Sequence, residues 1–268
     1  MAIATLAAFK DALNTGIVPI IAANTSVTTV IGRTFDLMIN AVPAFTAPTT
    51  PVVPTSATAG SFGQNNPATG QLSLIGSRVC GSSTGAVIVC DRLSHQAGLS
   101  GIVTTAQTTN LPTAALTRYT SGDGVMIGIT IYTAIGATAT TITASYTNQA
   151  GVAGKITQAM AFGGTGFNTA SRLILLPLAS GDTGVRSVES VTVLATTGTA
   201  GNFGVTLFKP LYFASIESLT LNNQPTGFLN GCSGGGIPSI VNDACLFHVG
   251  ISTTTGLAVS HSAIFAEN

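Results

Sequence analysis

The chain has 268 residues, nine of them basic and nine acidic, so its formal net charge is zero and only 7% of it is charged. An ordinary globular domain carries about 25% charged residues; here the hydrophobic share is a normal 45%, and Thr, Ser, Ala, Gly and Asn stand where charges would be. Nine scattered cations form no cluster able to displace counterions from phosphates, which excludes direct nucleic-acid binding, and no uncharged run of about 18 apolar residues is present to span a membrane.

A free monomer keeps itself soluble with mixed surface charge. Neutral small side chains instead lower the desolvation cost when another protein covers them, so the composition predicts an assembly subunit before a secreted protein with a Thr/Ser-rich exterior. The opening MAIATLAAFKDAL places Lys10 and Asp11 after its apolar stretch, unlike a signal peptide, and the chain is expected to be made and used in a cytoplasm.

In chain order, Ile3, Leu6, Ala7, Lys10 and Leu13 recur at helical intervals, and Asn14-Thr15-Gly16 is a stop signal for a short helix. Val27 to Ile31 reads as a strand. Pro43, Pro48, Pro51 and Pro54 then punctuate a charge-free stretch that is extended and barred from a central strand, because proline fixes φ and removes a donor. Residues 1–70 are therefore expected to be an N-terminal arm, a short helix plus a Pro-rich extended segment. Its contact residues would be Ile3, Leu6, Phe9 and Leu13 as an anchoring face and Pro43, Pro48, Pro51 and Pro54 as a strap over a neighbour.

From residue 71 the pattern becomes strands and turns. Leu72 to Cys80 and Ala86 to Leu93 read as a first pair. Gly124 to Thr133, Thr138 to Thr147, Lys155 to Phe162, Arg172 to Leu178, Ser187 to Thr196 and Asn202 to Phe213 follow. In Thr138 to Thr147, Ile142, Ala144 and Tyr146 alternate with Thr141, Thr143 and Ser145, one face apolar and one polar. Turn signals such as Gly181-Asp182-Thr183-Gly184 separate the strands, and Cys245 to Ile251 and Thr255 to Phe265 close the series. The predicted fold is all-β, an antiparallel β-sandwich or jelly-roll-like body over residues 71–268.

Chemistry is sparsely signalled. Gly231-Cys232-Ser233-Gly234-Gly235 matches the G-x-S-x-G elbow, with Asp243 and His248 downstream, but Ile237-Pro238 follows where the elbow needs a helix. The near pairs Cys90 with His95 and Cys245 with His248 would bind a metal only if their segments met in space. Asp123 and Asp182 sit in glycine turns, where Asp caps backbone. Gly163-Gly164-Thr165-Gly166 lacks the lysine of a phosphate loop. Cys80, Cys90, Cys232 and Cys245 allow three pairings; free thiols are the default in a chain this long, and Cys80 with Cys90 are placed to face each other across a hairpin. No catalytic, cofactor or metal residues are assigned.

Asp91-Arg92-Leu93 with Gly98-Leu99-Ser100-Gly101, then TTAQTTNLP (Thr104 to Pro112), RYTSGDGV (Arg118 to Val125), the run Ile131 to Gly154 and the run Gly181 to Leu211 form one block. Over roughly residues 75–214 this block resembles a group of virion structural proteins of tailed bacteriophages. The resemblance implies a structural, non-enzymatic virion component assembled in the host cytoplasm. With the composition, it leads to the expectation of a capsid decoration or cement protein. Such a protein would be a homo-oligomer, with a trimer the favoured form, bound to the major capsid protein or other virion proteins. The alternatives are a neck, tail or fibre component contacting the host, and a serine hydrolase using Ser233.

Overall fold

Runs of β-branched and aromatic residues suit a pleated, half-buried surface, and glycines between them supply the turns. The computed structural model describes residues 5, 7, 10–11, 17–28, 30–41, 43–62, 64, 66–67, 71–112, 114–216 and 239–267. Among them the strands are β1 (Ile17–Thr28), β2 (Thr34–Asp36), β3 (Leu72–Gly81), β4 (Gly85–Leu99), β5 (Gln107–Leu111), β6 (Met126–Thr133), β7 (Thr140–Asn148) and β8 (Lys155–Ile156). They continue as β9 (Met160–Phe162), β10 (Leu173–Leu176), β11 (Val185–Val193), β12 (Asn202–Ile216), β13 (Ser239–Ile240), β14 (Leu246–Ser252) and β15 (Gly256–Glu267). A single 3₁₀ turn, Leu37–Asn40, is capped by the Asp36 carboxylate, which accepts from the Met38 N–H.

All strand pairings are antiparallel. They make a four-stranded sheet in the order β1-β15-β3-β13, a six-stranded sheet in the order β10-β6-β12-β4-β14-β2, and a third sheet β5-β11-β7-β8 with β9 also on β7. The expected all-β, sandwich-like architecture is present. The two central strands, β4 and β12, are fifteen residues each, about 50 Å of extended chain, long enough to serve two layers. Leu93, Leu99, Phe203, Val205 and Leu207 pack against Ile142, Tyr146, Val188 and Val191 of the third sheet. Farther along the same strands, Val87, Val89, Tyr212 and Ile216 pack against Leu74, Leu257, Val259 and Phe265 of the four-stranded sheet.

The six-stranded sheet curls until its edges meet. Phe35 of β2 bridges Arg172 beside β10, and the Asp36 N–H donates to the Ser171 carbonyl at 2.8 Å. Its concave face holds a core of Met38, Phe45, Cys90, Leu173, Phe208, Phe247 and Val249.

Two expectations are corrected. Residues 17–62 do not form an arm outside the body. The uncharged strand β1 is zipped to β15 from Ile17↔Ala266 to Thr28↔Gly256, and β2 joins the curled sheet through β14. The Pro-rich segment lies along this chain's own β4, beyond the point where β14 leaves it. There the Val52 N–H donates to the His95 carbonyl at 2.9 Å, His95 returns the bond at 3.0 Å, and the Ala97 N–H donates to the Pro48 carbonyl. A proline carbonyl accepts as well as any other, so the missing donors cost this edge nothing. Secondly, β3 and β4 are not a pair. The link Gly81–Gly85 carries the chain from one sheet to the next, and Cys80, Cys90 and Cys245 are in no disulfide.

Candidate functional site

The concave face of the curled sheet is closed at one end and open at the other. At the closed end, β4 brings in Arg92 and the β2 terminus brings in Asp36, and both are wholly buried and ion-paired. Asp36 also accepts from Thr130 Oγ1 at 3.1 Å and from the Met38 N–H at 3.1 Å. The Arg92 guanidinium lies over the rings of Phe45 and Phe247, at 4.8 and 4.2 Å. Burial is the strongest single influence on its pKa and depresses it, but Asp36, Tyr132 and Cys245 together outweigh it, and the net direction is upward. His95, held by Tyr132 Oη at 2.8 Å, is pushed well below its ordinary pKa by burial and by the Arg92 charge. Arg118 closes the strap over this end: it clamps Asp91 through Nε and Nη2 at 2.8 and 2.9 Å and donates to the Pro54 carbonyl at 2.9 Å. Apart from Arg92 Nε, which finds no hydrogen-bond partner, the polar groups here serve one another inside the protein, which is structural chemistry.

The open end is a mouth of about 580 Å³, lined by Thr34 of β2, Ala86 and Ile88 of β4, Val249 and Ile251 of β14, and Pro210 to Phe213 of β12. None of its lining residues is charged, and Phe213 stands at its rim, 55% exposed. Thr34 Oγ1 already donates to the Leu173 carbonyl at 2.7 Å and accepts from Arg172 at 3.0 Å. Tyr212 turns its hydroxyl the other way, to 3.2 Å from His261 Nε2. Arg172 seals the seam between β2 and β10, and burial together with the Arg33 charge pushes its pKa down to about 10.

A second buried polar group lies between the four-stranded and curled sheets. His248 Nε2 is 3.1 Å from His261 Nδ1, and His261 Nε2 is 3.0 Å from Ser77 Oγ. This row has the order of a serine relay. However, Ser77 sits mid-strand in β3, opposite Ala263 in the ladder to β15, where the backbone donors of an oxyanion site are already engaged.

The residues singled out in the sequence scatter. Pro43 is exposed, Pro48 and Pro51 are half-buried and Pro54 is buried. Ile3, Leu6, Phe9 and Leu13 lie outside the described residues, as does Ser233. The acid and base of the elbow reading are apart: Asp243 is bonded to Asn66 at 2.6 Å in an exposed turn, and His248 is bonded to His261. The Cys90 and Cys245 segments do meet as β4 and β14, but His95 and His248 join different networks. No group of three or more His, Cys, Asp or Glu able to hold a metal ion occurs among the described residues. Likewise, no described helix is long and apolar enough to cross a membrane. The mouth was not foreseen, although β4 and β14 carry its signal. Ala86-Val87-Ile88-Val89-Cys90 and Leu246-Phe247-His248-Val249-Gly250-Ile251 are apolar on both faces, as strands sandwiched on both sides are.

No family model matches the chain, and no curated protein or solved structure matches it.

Proposed function

We propose that the protein is a structural subunit of a tailed-phage virion, of the capsid decoration or cement type, that works by packing neutral surface against other chains. The observation that carries this reading is where the charges sit. At least five of the eighteen, Asp36, Asp91, Arg92, Arg118 and Arg172, are buried, which leaves at most thirteen for the exterior of the whole chain. Large apolar side chains stand in that neutral exterior: Ile21 is 81% exposed, Leu194 76% and Ile31 61%. Covering them with protein recovers about 25 cal/mol per Å², and no charge has to be stripped of water. The resemblance over residues 75–214 supplies the setting, and the expected partners are the major capsid protein, other virion proteins and further copies of this chain.

The test is composition and competition. Antibody to the chain should label gradient-purified particles, and Ile21→Asp and Leu194→Asp proteins should fold normally yet fail to enter them. Absence of the chain from purified particles, or undiminished entry of both variants, refutes the proposal.

A further inference from the structure

We propose that the open mouth of the curled sheet is a binding site for a small uncharged lipophile, such as a single alkyl chain or a fused-ring aromatic. Its volume of about 580 Å³ falls within the range of small-molecule sites, about 300–1,000 Å³, and is more than one aromatic side chain fills.

The lining decides the chemistry. Ala86, Ile88, Pro210, Phe213, Val249 and Ile251 offer only apolar contact, and the hydroxyls of Thr34 and Tyr212 are both committed elsewhere. A charged head group inside the mouth would lose its water and gain no partner. A peptide is disfavoured on the same ground. β4 pairs with β12 and β14, and β14 with β4 and β2, so their backbone groups are taken; Pro210 to Phe213 of β12 lie beyond its pairing with β6, which ends at Phe208. An entering main chain would meet partners along that one strand alone and leave its other groups without the hydrogen bonds they give up. An alkyl or aromatic molecule has no such bonds to lose.

The floor is rigid. Val249 and Phe247 are at most 2% exposed and join Phe208 and Leu173 in the concave core, beneath which the Arg92–Asp36 pair fixes the strands. The mouth is thus held open by its own framework.

The intact protein titrated with the neutral dye N-phenyl-1-naphthylamine tests this. We expect saturable emission with one dye per chain, displaced by 1-dodecanol. Ala86→Phe, which fills the mouth, and Ile251→Glu, which puts a carboxylate in its wall, should each weaken binding by about tenfold or more, while Leu194→Ser leaves it unchanged. If those two variants lose their unfolding transition, Phe213→Ser at the exposed rim takes their place and should weaken binding severalfold. Failure of the wild-type protein to bind the dye overturns the proposal, and so does equal binding by folded mouth variants. Particle entry is read through Ile21 and Leu194, so the two proposals fail separately.

Discussion

His248 Nε2 and His261 Nδ1 lie 3.1 Å apart between two sheets, with the Phe62 ring 4.2 Å from one imidazole and 5.6 Å from the other. The remaining polar neighbours are hydroxyls, Ser77 and Tyr212 on His261. Burial holds the His261 pKa down at about 4, from an ordinary 6.5, and burial with the neighbouring imidazole holds His248 well below its usual range.

The pair makes the fold acid-sensitive. Above pH 6.5 neither the folded nor the unfolded chain protonates His261, and its contribution to stability is complete. As the pH falls from 6.5 towards 4, the unfolded chain takes up a proton that the folded one refuses. Stability should therefore fall by about 3 kcal/mol from His261 alone, with His248 adding to the loss. Urea denaturation at stepped pH measures the slope, and His261→Gln should flatten it.

The Asp36–Arg92 pair should behave as a buried pair that is costly to break. Asp36→Ala or Arg92→Met leaves the other charge unpaired among Phe45, Phe247 and Leu173, at about 3–5 kcal/mol each. In a double-mutant cycle the combined variant should lose clearly less than the sum, because the second substitution removes the charge the first one stranded.

Gly136→Ala should be poorly tolerated for a steric reason. A Cβ there would lie 1.7 Å from the Thr197 carbonyl oxygen and 2.3 Å from its carbon. Backbone must move to admit it, and a loss of about 3 kcal/mol is expected in chemical denaturation. Gly154→Ala meets nothing within 4 Å, although its positive φ of 72° leaves a strain of about 1 kcal/mol.

Tyr146→Phe removes a hydroxyl that donates to Asp182 and accepts from the Ala179 N–H at 2.8 Å. The ring is otherwise core, so the substitution should cost about 1–2 kcal/mol and leave the third sheet folded. Asp182, held below its usual carboxylate range by that hydroxyl, should titrate higher in the variant, which a carboxyl NMR titration reads directly.

The strands that alternate cleanly were legible from residues alone. Ile142, Ala144 and Tyr146 are almost wholly buried, as their spacing required, and β14 and β15 fall within a residue or two of expectation. Pairing was not legible. Neighbouring strands such as β3 and β4 join different sheets, because a glycine link turns as easily between layers as within one. β2 is three residues long, below any periodic signal, yet it closes the curl. The partner of the Pro-rich strap, β4 of the same chain, was not legible either, being an edge that only the three-dimensional sheet order exposes. The mouth needed that order too, since Thr34, Ile88, Phe213 and Ile251 come together from four separate strands.

The zipping of β1 to β15 has a consequence in time. Ile17 and Ala266 face each other across roughly 250 residues of intervening chain, and a ribosome adding about 5–20 residues per second needs some tens of seconds to supply the partner. Through that interval β1 waits on the nascent chain as an uncharged, unpaired edge, the kind of segment chaperones hold. The four-stranded sheet thus cannot close until β15 has been made, and a host that translates faster than it chaperones should accumulate this protein as aggregate.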